Sequence, residues 1–94
     1  IDLCIGERVD IPSKQTAVIV SVTPVNIPEG CVGIMGIRRA IGDKYKLTMT
    51  SNILWGGFNG YPELHISNPG GDVAELRTGD AIAHVAIVKE HSDE

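Results

Sequence analysis

Aromatic side chains are scarce in this 94-residue chain: one Trp, one Phe and two Tyr make up 4% of it. Any core must therefore be built from Ile, Val, Leu and Ala. Basic side chains are also few, eight Lys and Arg against twelve Asp and Glu, for a net charge of −4. The pairs Arg38-Arg39 and Lys44-Tyr45-Lys46 are short and lack aromatic interleaving. Docking on a nucleic-acid duplex is not expected, because such affinity rests mainly on neutralising phosphates. No apolar run reaches the roughly 18 residues of a membrane-spanning helix, and no signal-peptide pattern opens the chain. Cysteine is limited to Cys4 and Cys31, without CxxC spacing; they read as reduced side chains packing like small hydrophobes. His65, His84 and His91 lie on separate segments with no zinc-like spacing. The chain opens on Ile1, which gives the expectation of a piece cut from a longer protein.

What is present is a regular beat of turns. "IPSKQ", "NIPEG", "AIGDK", "WGGFNG", "NPGGD" and "RTGD" recur every eight to twelve residues. Between them lie short β-branched runs: Thr16–Val22, Cys31–Ile37, Lys44–Thr50, Glu63–Asn68, Val73–Arg77 and Ala81–Val88. Prolines fix one backbone angle and glycines accept positive φ, so the intervening clusters are turns. No window offers an amphipathic helical stripe with a cap and a stop. Short strands at even spacing predict an all-β sandwich or barrel in a single domain, residues 1–94. A chain this short buries only about 60–65% of its unfolded surface, so oligomerisation is an expected supplement to stability. "KEHSDE" at the end is charged and expected to fray.

The order of the motifs carries a resemblance. "IDLCIGERVDIPSKQTAVIVSVTPVNIPEGCVGIMGIRRAIG", then "ILWGGFNG", then "LRTGDAIAHVAI", is similar to the trimeric dUTPases and to their relatives the dCTP deaminases, over nearly the whole chain. The resemblance implies a dUTPase-like jelly-roll or distorted β-barrel that assembles as a homotrimer. It also allows a residue-by-residue reading of the site. Asp2-Leu3 match the family's first motif, near metal and phosphates. In the second motif, where an Arg-Ser pair holds the phosphate chain, Arg38 matches and Arg39 replaces the Ser. In the third, Trp55 stands where an Asp activates the attacking water, Phe58 where a Tyr packs on the deoxyribose, and Asn59 in place of an Arg. In the fourth, His84 replaces a Gln. The glycine-rich closing arm of the fifth motif is absent from the chain.

An indole offers one N–H donor and no basic lone pair, so Trp55 cannot take a proton from water. Loss of a general base alone costs about 10²–10⁴-fold. Loss of the Ser donor and the arm removes positioning and charge stabilisation as well. The expectation is therefore a non-catalytic, dUTPase-derived domain without cofactor, acting in oligomerisation or protein interaction. By analogy, it would sit within a viral or mobile-element polyprotein, in an intracellular, virus-associated setting. The Trp55 ring is expected to pack or to fill the vacated pocket, the alternative being an exposed ring that grips a partner. If nucleotide binding is retained, Arg38, Asn52, Gly57, Phe58 and His84 are its candidate residues. The alternatives are a nucleotide-binding sensor, or dUTP diphosphatase activity with Mg²⁺ and a substitute base such as Asp43 or Asp80 of a neighbouring subunit. A deaminase reading meets His65 where that family's catalytic Glu stands, although the "GGFNG" turn is similar to the deaminase one. Asp2 is a weak metal candidate, having no neighbouring carboxylate in sequence. His65 is expected to line a sheet face and His84 to be buried or at an interface.

Overall fold

The computed structural model describes residues 1–90; of the end expected to fray, Lys89 is paired in the last strand and Glu90 N donates to the Gly30 carbonyl at 2.8 Å, while His91 and residues 92–94 lie outside the described residues. Eleven strands and one short helix occur among the described residues, in the order β1 (Asp2–Cys4), β2 (Val9–Ile11), β3 (Gln15–Val20), β4 (Val25–Asn26), β5 (Cys31–Ile37), α1 (Arg39–Tyr45), β6 (Thr48–Ser51), β7 (Ile53–Leu54), β8 (Asn59–Gly60), β9 (Glu63–Asn68), β10 (Ala74–Leu76) and β11 (Ala81–Lys89). They form four antiparallel sheets, ordered β1-β11-β5-β7, β3-β9-β6, β10-β2 and β4-β8. The expected all-β, jelly-roll architecture is what the chain adopts.

Period-two alternation explains which face each strand buries. In β9, Leu64, Ile66 and Asn68 point inward while Glu63, His65 and Ser67 face out. They pair with β3, where Ile19 lies opposite Leu64 and Ala17 opposite Ile66. From the other main sheet, Leu3, Met35, Leu54, Ala83 and Val85 enter the same core, closed by Ile5, Ile11, Ile27, Leu76 and Ile82. Each fully buried aliphatic side chain contributes about 1.5–3 kcal/mol relative to exposure. No aromatic ring is fully buried in this core, in line with their scarcity; Phe58 and Tyr45 only pack against its edge.

The buried polar residue Asn68 makes the "NPGGD" turn work. Its Nδ2 donates to the carbonyls of Ile11 and Asp72, both at 2.8 Å, and its Oδ1 accepts from Gly70 N at 3.1 Å. An amide that mimics backbone in this way closes the turn and ties it to β2. Cys4 and Cys31 are free and half-buried, rather than fully packed away.

One segment differs from expectation. The sequence predicts a turn at "AIGDK" and a strand over Lys44–Thr50, but residues Arg39–Tyr45 form α1 and the strand begins at Thr48. The helix has no side-chain N-cap and no buried residue, and it stops at Lys46, whose φ of 59° is left-handed. Nothing in such a helix marks it in sequence; a stripe or a cap would have.

Candidate functional site

The glycine turn sits at the end of β7. Leu54 pairs with Gly33 and is buried, while Ile53 pairs with Ile34 and faces out. The Trp55 carbonyl then accepts from Phe58 N at 3.1 Å, and Gly57, at φ 93°, donates to the Ile27 carbonyl at 2.8 Å. A Cβ on Gly56 would lie 2.9 Å from the Cys31 carbonyl oxygen, and one on Gly57 2.6 Å from Glu29 Oε2. Gly56 is thus required by the Pro28–Cys31 backbone beneath it, and Gly57 by its positive φ, since the Glu29 carboxylate is the end of a flexible side chain. The indole of Trp55, just before the pair, stands outward and is 68% exposed. It neither fills a pocket nor packs, which corrects the sequence expectation.

Below the turn an open cleft of about 390 Å³ is lined by Met35, Ser51, Ile53, Leu54, Phe58, Tyr61, Glu63 and His65. Phe58, half-buried, forms one wall. Glu63 and His65 share the outer face of β9, with Glu63 Oε1 3.5 Å from His65 Nε2. His65 therefore lines a sheet face as expected. Glu63 and Tyr61 are additions that the sequence reading passed over, although alternation in "ELHISN" already places Glu63 beside His65. Asn52 is exposed and outside the cleft lining; its carbonyl accepts from Met35 N at 2.8 Å.

The remaining candidates gather elsewhere. Asp2 lies opposite His84 in the β1-β11 ladder, and His84 opposite Gly36 in β11-β5. Arg38 Nη1 reaches Asp2 Oδ1 at 2.7 Å, and a Cβ on Gly36 would meet the His84 ring at 3.4 Å. So Asp2, Arg38 and His84 form one cluster. His84 is exposed rather than buried in this chain. Arg39 points to solvent and pairs with Asp43 at 3.6 Å along the helix, while Asp80 Oδ2 accepts from Arg77 N at 3.1 Å. Met35 of β5 lines the cleft, and Arg38, three residues on and just past the strand's end, does not. None of Asp2, Arg38 and His84 lines the Phe58 cleft.

The Asp2 cluster is poorly suited to Mg²⁺. It offers a single carboxylate, already engaged by a guanidinium, whereas a hard divalent cation takes several oxygen ligands.

No family profile matches the chain, and no curated relative matches it. Solved structures do. The EIAV dUTPase superposes with a TM-score of 0.86 at 24% identity, covering 99% of this chain and 77% of that one. A mutant dUTPase of Staphylococcus bacteriophage 80alpha with dUpNHpp gives 0.85 at 22%, covering 99% of this chain and 80% of that one. A mutant dUTPase from phage phi11 of S. aureus, described with a structural Mg(II) ion, gives 0.82 at 23%, covering 99% and 78%. At these identities the likeness establishes architecture, and the chain has the dUTPase-like fold.

Proposed function

We propose that this chain is a non-catalytic dUTPase-fold module that acts through homo-oligomerisation, as a trimer, and through protein interaction, within a viral or mobile-element polyprotein. One observation carries the reading. Trp55 occupies the position at which the resemblance calls for the water-activating carboxylate, and its ring stands in solvent on a turn whose neighbours are glycines. The Ser position of the phosphate motif holds Arg39, turned to solvent and paired with Asp43. A base, a phosphate-holding hydroxyl and a metal-ready carboxylate are thus all replaced or otherwise engaged. Viral and phage dUTPases among the similar structures accord with the setting.

A second reading rests on the open cleft. Glu63 beside His65, with Phe58 as a wall, could receive a nucleotide or serve as a substitute base. Incubation with dUTP and dCTP in the presence of Mg²⁺, assayed for pyrophosphate and ammonia, separates the two. No turnover above background is expected; turnover abolished by Glu63→Gln establishes the enzyme instead. Trp55, next in sequence to the cleft-lining Leu54, reports binding without turnover: its fluorescence is expected to stay unchanged with dUMP up to millimolar concentration.

A further inference from the structure

Valines stand outward along β3 where alternation calls for polar side chains. Val18 and Val20 are 56% and 54% exposed, and Val22, just beyond the strand, is 53% exposed. Across the ladder, Val18 lies opposite His65 and Val20 opposite Glu63, so an imidazole and a carboxylate border the stripe on one side. On its other side runs a groove of about 340 Å³ lined by Gly6, Glu7 and Val9 together with the valines. The neighbouring cation does not neutralise that flank. Arg8 is spent on Asp10, at 3.0 and 3.3 Å, and lies 3.9 Å from Glu75. The stripe is thus apolar along its centre, with one carboxylate on each margin, Glu7 and Glu63.

We propose that this face docks a partner polypeptide whose apolar centre covers Val18, Val20 and Val22 and whose basic side chains meet Glu7 and Glu63. Charge selects this occupant over the same stripe of a second copy. Stripe laid on stripe by a twofold axis would bring the Glu7 and Glu63 margins of two chains together, each chain carrying a net charge of −4. The inference rests on the reading of the chain as a protein-interaction module, and it supplies the surface and the chemistry of the partner.

The test uses fluorescein-labelled acetyl-Arg-Leu-Val-Leu-Arg-amide, its Glu-flanked counterpart, and the full chain, followed by anisotropy. The basic peptide is expected to bind at least tenfold more tightly than the acidic one, and to weaken as salt rises. The double variant Glu7→Lys, Glu63→Lys is expected to lose at least tenfold for the basic peptide, and Val20→Thr threefold or more, with unchanged circular dichroism. Should the double variant misfold, Glu63→Gln is read in its place, with a loss of about threefold expected. Equal binding of the two peptides, no binding of either, or binding indifferent to the margin charges overturns the proposal. So does a fall in sedimenting mass for Val20→Thr, which would assign the stripe to contact between copies. Pyrophosphate release from dUTP would defeat the non-catalytic reading alone and leave these peptide outcomes intact.

Discussion

At the level of single residues, the chain separates positions that hold the fold from positions that only resemble a site. Trp55 is the largest side chain and contributes little packing; Asn68 is modest in size and closes three hydrogen bonds in the interior. Replacing Asn68 by Ala leaves the Ile11 and Asp72 carbonyls and the Gly70 N–H without their partner. A buried group left unsatisfied costs about 1–3 kcal/mol, and here some of the groups near the turn can recover water. Asn68→Ala is therefore expected to destabilise the chain by about 2–4 kcal/mol. For a domain of this size that is a fall in Tm of roughly 8–25 °C, read by thermal denaturation at fixed protein concentration. A loss below about 0.5 kcal/mol would show that the turn holds without its amide.

At the level of elements, the long strands were legible and the short ones were not. Cys31–Ile37, Glu63–Asn68 and Ala81–Lys89 carry their own signal, because β-branched runs bounded by turn residues define them locally. The two-residue strands Val25–Asn26, Ile53–Leu54 and Asn59–Gly60 exist through their partners, such as Gly60 opposite Val25, and have no local signature. The same contrast holds at the site. The glycine turn and the Trp55 substitution were readable, but the seating of Gly56 against the Pro28–Cys31 backbone is a contact between residues distant in sequence and was not. The helix was missed for want of a stripe or a cap, and its stop offers a prediction. Lys46 closes α1 in the left-handed region at φ 59°, with its N–H donating to the Gly42 carbonyl. A Cβ there costs about 1–2 kcal/mol that glycine avoids, against the greater unfolded-state entropy of glycine. Lys46→Gly is expected to raise stability by about 0.5–1 kcal/mol in urea denaturation. A loss instead would mean that the Lys44–Lys46 side chains matter more than the cap geometry.

At the level of the whole molecule, an outward face on the β1-β11-β5-β7 sheet remains apolar. Ile34 lies between Ile53 of β7 and Ala86 of β11 in register, with Val32 opposite Val88 next along the ladder; Ile34, Ile53 and Val88 are all exposed. A contiguous apolar ladder across three strands is a surface that association would bury, and it is distinct from the acidic-margined stripe on β3. At one end of it lies the cluster of Asp2, Arg38 and His84; at the other end of β5 is the Trp55 turn. Association through this face therefore brings residues from both regions to the margin of the contact. Anything that binds the folded state alone raises its apparent stability by mass action, so an assembling chain has a Tm that climbs with protein concentration. Sedimentation over a hundredfold concentration range is expected to reach three times the chain mass. Ile34→Lys places an ammonium at the centre of the ladder, where burial without a partner is costly, and is expected to hold the chain at single mass while far-UV dichroism stays unchanged. Because Ile34 is exposed in the lone chain, the substitution costs the monomer little, so the loss of mass reports the contact rather than the fold. If the parent chain sediments at single mass throughout and its Tm is flat with concentration, the face is open in solution and assembly is no part of how this module works.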